Sequence, residues 1–530
     1  MSLSLGVDAG GTYTDAVILR DETEVLASAK ALTTRGDLAI GVGAAVRAVL
    51  AEAGCAPHDI VLAALSTTLA TNALVEGQGG RVGLVYVGFK ADDLTRHGLS
   101  EVLRGDPAVV LSGGHDHAGG EASALDLAGR DAFLDREGDA VSAFAVASLF
   151  ATRNPAHELA VAERIAARSG LPVTASHQLS SKLNGPKRAL TAVLNARLVG
   201  MIDQLIGRAQ DVLAEIGVRA PLMVVRGDGA LMSAEQARAR PIETILSGPA
   251  ASIVGARWLT ACDAALVSDI GGTTTDVARL VDGRPAIDPA GAQVGGHRTM
   301  VEAVAMRTTG LGGDSQVHVM TEGLEGGVHL GPRRLVPVAL MADEAPDVVH
   351  SALDTQLRAV TVGEFDGRFV RAVPGISHAG LGAREAALLA RIGAAVHPLG
   401  AVLRARVEVG ALGKLVDRGL VQLGGVTPSD AAHHLGLHDR WDRAAAGKAL
   451  ELLARRRVGS GDRLAPTSEY LAEMILQRIA YQTELALLEA AFGEEEADFG
   501  MSPEALAELP LLQHALDGHR GLVALEARRN

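Results

Sequence analysis

Apolar residues fall into short runs broken by glycine, and the earliest run sets a pattern that returns later in the chain. Residues 4–7 and 264–267 read as short apolar strands, and residues 14–19 (TDAVIL), β-branched and apolar, predict a returning strand. The longer runs at 82–89 (VGLVYVGF) and 141–150 (VSAFAVASLF) predict strands buried on both faces. Helical spacing appears at 36–53, 185–215, 383–392 and 444–457. The second of these opens on Gly185-Pro186, where proline is tolerated, with Lys187 and Arg188 expected in solvent, the alternative being that they face a carboxylate substrate. LAALSTTLATNALVE predicts a strand, a polar loop and a helix start, with Thr71 or Asn72 capping the helix. MVVRGDGALMS predicts a strand, a loop and a helix capped by Ser233, with Asp228 in a turn or at a ligand-facing strand end. Ser247 is expected to cap a helix with Pro249 in its first turn, and His433-His434 to form a solvent-facing pair. Residues 343–372 predict a further α/β segment.

The order of apolar strand, Gly-Gly and strand occurs twice. LGVDAGGTYTDAVIL at 5–19 and LVSDIGGTTTDVARL at 266–280 share D-x-G-G-T-x-T-D, running from Asp8 to Asp15 and from Asp269 to Asp276. One copy alone would be read as an ordinary Gly-rich hairpin turn. Two copies behind two apolar strands favour phosphate binding. Gly10, Gly11, Gly271 and Gly272 offer positive φ and close approach of the backbone to a ligand. The hydroxyls of Thr12, Thr14, Thr273 and Thr275, with Thr274 beside them, supply donors for phosphate oxygens. A P-loop would need a lysine after the glycines and a helix behind them; neither copy has that lysine. Asp8 and Asp269 open the two turns and are the candidate catalytic carboxylates, placed to hold Mg²⁺ and orient a nucleophile. Asp15 and Asp276 are assigned to bracing the hairpins.

Composition narrows the function classes. The length of 530 residues predicts three to four domain-sized units; the chain is 48% hydrophobic, as a globular protein requires, and carries a net charge of −14. That negative charge makes neither nucleic acid nor an anionic membrane an expected partner, and aromatics at only 3% leave little to stack on single-stranded nucleic acid. Cys55 and Cys262 form no framework, and the first residues resemble neither a signal peptide nor an anchor, so a cytoplasmic protein is expected. His115, Asp116 and His117 place two imidazoles on one strand face, but no third spaced ligand accompanies them, and a polar loop is the favoured reading.

The duplicated octapeptide resembles the phosphate motifs of the actin-like ATPase superfamily. Further segments resemble the hydantoinase A/oxoprolinase family: STTLATN at 66–72, LMVVRGDGALMS at 222–233, PIETILSGPAASIVGA at 241–256, TTGLGGDS at 308–315 and GGVTPSDAAHHLG at 424–436. The resemblance implies an α/β fold of duplicated ribonuclease-H-like, actin-like ATPase domains with a nucleotide cleft between them. It implies domains at 1–175 and 176–490, followed by a divergent or truncated segment at 491–530, and adds Gly312 and Gly313 to the nucleotide-binding residues. The superfamily's Gly-rich adenosine motif has no match after Phe492, which leaves open how adenine is held. The implied function is ATP- and Mg²⁺-dependent hydrolysis of a cyclic amide such as a hydantoin or 5-oxoproline. The implied assembly is an oligomer with a hydantoinase B-like subunit, this chain being the ATP-activating component. The alternatives are an ATP-dependent carboxylase subunit, a small-molecule kinase and a nucleotide-gated assembly protein.

Overall fold

The computed structural model describes residues 2–492, apart from 11–12, 35–36, 76, 273, 321–326, 375–377 and 379–380. Contacts divide the chain into two compact units: Met1–Val267 with Ala278–Met306, and Ser268–Val277 with the chain from Arg307 onward.

In the first unit the opening strands build a six-stranded sheet. Leu3–Ala9 pairs antiparallel with Tyr13–Arg20, which pairs antiparallel with Glu24–Leu32. On its other side Leu3–Ala9 runs parallel to Ile60–Thr67, followed by Leu222–Val225 and Leu231–Ser233. Alternation fixes the register: Leu5, Val7, Ala9, Ala16 and Ile18 share one buried cluster with the helices Leu38–Ala53 and Gly185–Ile216. Leu38–Ala53 starts where Asp37 accepts the Ala39 N–H, and it ends at Gly54 with φ of 63°. Gly185–Ile216 is capped by Asn184, carries Pro186 in its first turn and stops at Gly217. By length and composition this helix is apolar enough to cross a membrane, yet 72% of its most apolar window is buried inside the protein. Packing accounts for its hydropathy.

A second sheet in this unit is wholly parallel, in the order Ala108–Leu111, Val82–Val87, Ala143–Ser148, Val173–Ala175. Val82–Val87 and Ala143–Ser148 are buried at every position, as unbroken apolar runs require. Leu84 and Ala145 face the cluster shared with Gly185–Ile216, while Val85 and Val146 face a separate cluster with Ala156–Ser169.

The second unit holds a four-stranded sheet in the order Val336–Pro337, Val421–Gly425, Phe369–Ala372, His397–Pro398. Its main core is shared with the helices Val338–Glu344, Pro346–Leu357, Arg443–Ala454 and Ser468–Phe492. Ala383–Ile392 is helical as its period predicts.

Several local expectations are corrected. Arg188 is 2% exposed, because its guanidinium is drawn into backbone and hydroxyl partners beneath the helix start. Ser247 is the first residue of the helix Ser247–Thr260 and bonds the Thr67 backbone instead of capping its own helix. His433 is buried: its ring stacks on Trp441 at 4.9 Å between centroids, and its Nδ1 bonds the Ser429 carbonyl. Most of the expected segment 491–530, from residue 493, lies outside the described residues.

Candidate functional site

Both octapeptides form hairpins closed by the same bond. The Gly10 N–H donates to the Tyr13 carbonyl at 3.1 Å, and the Gly271 N–H donates to the Thr274 carbonyl at 2.9 Å. The second hairpin runs from Ala265–Ile270 into Thr275–Val281. Gly11, Thr12 and Thr273 lie outside the described residues. Gly10, Gly271 and Gly272 do not take the left-handed conformation anticipated for the pair. What they supply is close approach: a Cβ on Gly10 would lie 2.9 Å from the Tyr13 carbonyl oxygen, and one on Gly272 would lie 2.9 Å from Asp314 Oδ2.

The second threonine of each motif turns inward. Thr14 and Thr275 are fully buried; the Thr14 hydroxyl pairs with Thr33 Oγ1 at 3.0 Å, and the Thr275 hydroxyl donates to the Leu311 carbonyl at 2.9 Å. Both hydroxyls fasten the hairpin base to the next chain segment.

Around Asp8 two distant segments converge. Asp8 Oδ1 accepts the Ser66 hydroxyl at 2.6 Å, and a Cβ on Gly248 would lie 3.9 Å from the same oxygen. Ser66 begins STTLATN and Gly248 belongs to ILSGPA. These segments are tied by Ser247 Oγ donating to the Thr67 carbonyl at 3.0 Å and by the Leu246 N–H donating to Thr71 Oγ1 at 3.0 Å. Thr67 Oγ1 accepts the Leu69 N–H at the start of Leu69–Val75, so the capping expected of Thr71 or Asn72 falls on Thr67.

The second tip rests on the 310–315 turn. The Gly313 N–H reaches the Gly271 carbonyl at 3.3 Å, and the Asp314 N–H reaches the Gly272 carbonyl at 2.7 Å. A Cβ on Gly312 would lie 2.5 Å from the Gly271 oxygen, so only glycine fits. The Gly312 N–H goes to Ser315 Oγ, and thus the N–H groups of Gly312 and Gly313 both end on protein acceptors. The turn is held in place by the Ser429 N–H on the Gly313 carbonyl at 2.8 Å. Ser429 belongs to the helix Pro428–His434, whose capping box joins Thr427 and Asp430.

Carboxylates gather at this tip. Asp269 is exposed, whereas burial pushes the Asp276 carboxyl above its ordinary range; hydrogen bonds from Thr308 and Thr274 oppose that shift, and the Asp269 charge adds to it. Asp276 Oδ1 is buried without a hydrogen-bond partner. Burial also raises the Asp314 carboxyl, against the Arg334 guanidinium at 3.1 Å and the Ser429 hydroxyl. Ser66, Thr308, Asp314 and Ser429 escaped the motif reading, although all four sit inside or beside the quoted segments.

The remaining candidates settle into local roles. Asp228 accepts the Ala230 N–H and pairs with Arg226, closing a turn. Asp116 accepts the Ala118 and Gly120 N–H groups, and His115 is buried against His157. Among the described residues no three of His, Cys, Asp and Glu converge as a metal cage.

The hydantoinase/oxoprolinase N-terminal region matches residues 4–169, and the hydantoinase/oxoprolinase model matches residues 188–336. This chain belongs to the hydantoinase/oxoprolinase family. Among the family's curated proteins, the caprolactamase alpha subunit of Pseudomonas jessenii is 30% identical over 62% of this chain and 50% of its own length. The acetophenone carboxylase gamma subunit of Aromatoleum aromaticum is 28% identical over 62% of this chain and 49% of its own. The 5-oxoprolinase 1 of Arabidopsis thaliana is 28% identical over 48% of this chain and 22% of its own. The chain therefore spans about half the length, or less, of these curated relatives. In fold it matches nucleotide-free acetone carboxylase (TM-score 0.61, 18% identity, 93% of this chain and 63% of that one). It also matches the ATP-dependent caprolactamase of Pseudomonas jessenii (TM-score 0.60, 23% identity, 92% and 63%).

Proposed function

We propose that this chain is the ATP-activating component of a cytoplasmic enzyme that hydrolyses a cyclic amide, working with a hydantoinase B-like subunit in an oligomer. The observation that carries the reading is the pair of D-x-G-G-T hairpins closed by the same backbone bond, in a family whose relatives include an ATP-dependent caprolactamase. In this reading the fold is a duplicated actin-like ATPase, and both hairpins serve one triphosphate. The N–H groups at the tips and the hydroxyls of Thr12 and Thr273 bind phosphate oxygens. Thr14 and Thr275, Gly312 and Gly313 act through the hairpins by fixing their position.

Asp8 and Asp269 orient the nucleophile and would hold Mg²⁺. The donor set fits that ion: carboxylate oxygens suit a hard cation that keeps waters and shares phosphate ligands. When bound, Mg²⁺ would neutralise charge on the phosphates. Amide resonance makes direct ring opening slow. Transfer of the γ-phosphoryl group to the amide oxygen leaves a better electrophile and couples opening to ATP cleavage.

A second reading is favoured by the likeness to the acetophenone carboxylase subunit: phosphorylation of a ketone enol or of bicarbonate. Phosphate release measured with ATP and a panel of hydantoin, 5-oxoproline, caprolactam, acetophenone with bicarbonate, and sugars separates the two. Stimulation by a cyclic amide supports the first, and stimulation only by the ketone with bicarbonate supports the second. If no compound changes the rate, both are wrong.

A further inference from the structure

Behind the turn that carries the second hairpin, the second unit holds a cleft in which positive charge outnumbers its partners. Its apolar walls include Val317 of the strand Ser315–Met320, Leu335 and Leu453. Leu335 ties the cleft to the turn, its N–H donating to the Asp314 carbonyl at 2.9 Å. The cleft measures about 310 Å³ with its open mouth included, which leaves room for a ligand of only a few atoms. Among the described residues, none from either octapeptide lines it.

Two arginines line this cleft: Arg368, just before the strand Phe369–Ala372, and Arg456, just past the helix Arg443–Ala454. Among the described residues the Arg368 guanidinium makes no hydrogen bond and no ion pair. Burial lowers its pKa below the ordinary arginine value, the charges of Arg456 and Arg333 lower it further, and no carboxylate opposes them. Arg456 gives one N–H to the Glu364 carbonyl at 2.8 Å, and its Nε is buried with no hydrogen-bond partner. Asp366, the acid that lines the cleft, acts on Arg456 and already accepts the Gly363 N–H at 2.7 Å. Two guanidiniums thus share one lining carboxylate, in a chain with 63 acidic and 49 basic residues. Carboxylates are plentiful, yet none is placed against Arg368. A sheltered cation left this way is costly unless an anion completes it.

We infer that this cleft is a binding site for a small oxyanion, a carboxylate or a phosphate, held between Arg368 and Arg456. Both ligands offer what a planar guanidinium recognises, a pair of oxygens that accept parallel N–H bonds. The apolar walls keep water from that contact and so strengthen it. The same positive field reaches His318 on the neighbouring strand, whose pKa is lowered by burial first and then by Arg368. Because neither octapeptide contributes to it, the site stands or falls independently of the ATP reading.

The test labels the full chain with phenylglyoxal, which attacks arginine, in Hepes and chloride, and follows Arg368 by peptide mass spectrometry. Arg368 should react, and about 10 mM inorganic phosphate or acetate at constant ionic strength should slow it about fivefold, as a millimolar site requires. Exposed Arg384, on the helix Ala383–Ile392, should be slowed by neither. Slowing by phosphate alone assigns the site to phosphate, slowing by acetate alone to carboxylates, and slowing by both to oxyanions at large; each supports the inference. An unreactive Arg368, no slowing by either anion, or equal slowing of Arg384 overturns it. Arg368→Met keeps the apolar stem and removes a charge that has no partner, so in chloride its Tm should equal or exceed that of the native protein. The protecting anion should raise Tm by about 1–3 °C in the native protein and by less in the variant. A lower Tm for the variant in chloride, or the same gain in both proteins, also overturns the inference.

Discussion

The two octapeptides share six identities in eight positions but sit in different surroundings. The first lies in a broad sheet, where seven residue pairs, from Leu3 with Arg20 to Ala9 with Thr14, hold its strands together. Its trailing carboxylate, Asp15, lies at the surface against Lys30 at 3.3 Å. The second rests on a glycine turn that is itself held by Ser429, and its trailing carboxylate, Asp276, is half-buried, with one oxygen sheltered and unpaired. The leading carboxylates reverse this: Asp8 is half-buried and bonded to Ser66, whereas Asp269 is exposed. Motif identity thus fixes the hairpin and its closing bond. The surroundings decide which carboxylate is sheltered.

The largest expected effect comes from the leading pair. Asp8→Asn and Asp269→Asn should each lower substrate-stimulated phosphate release by about 10²–10³-fold, the scale of a lost transition-state contact. A silent Asp269→Asn would mean that only the first hairpin is functional. Gly312→Ala comes next: its Cβ would press on the Gly271–Gly272 backbone, and overpacking of this kind costs about 1–3 kcal/mol, read as a lower denaturant midpoint. Thr14→Val and Thr275→Val should each cost about 1 kcal/mol by the same measurement, because each removes one buried hydrogen bond. Unequal losses would show that the inward threonines are not equivalent.

The subtlest contrast is between the trailing carboxylates. Burial raises the folded-state pKa of Asp276 above its unfolded value, so the folded protein holds that proton more tightly and loses stability as pH rises through the raised value. Asp276→Asn should therefore raise Tm at pH 7, and the gain should vanish in acid below the ordinary carboxylate range. Asp15→Asn, at the exposed equivalent, should change stability by less than about 0.5 kcal/mol at either pH.

Much of the scaffold was legible because periodicity is local. The helix predicted at 185–215 is Gly185–Ile216, and the strands predicted at 82–89 and 141–150 are Val82–Val87 and Ala143–Ser148. The hairpins were legible because eight residues specify strand, turn and strand. What escaped was side-chain direction and long-range partnership. Whether the Thr14 hydroxyl meets a ligand or Thr33 depends on which sheet face packs against the core. Arg188 looked like a solvated helix start because Ser148 and Ser176, its partners, are 40 and 12 residues away.

The central claim is that both hairpins serve one triphosphate, and hydrogen–deuterium exchange with and without a non-hydrolysable ATP analogue and Mg²⁺ tests it most directly. Peptides covering residues 8–14 and 269–275 should both slow, with the same dependence on analogue concentration and a stoichiometry of one. Protection of one peptide alone, or of neither, would contradict the account.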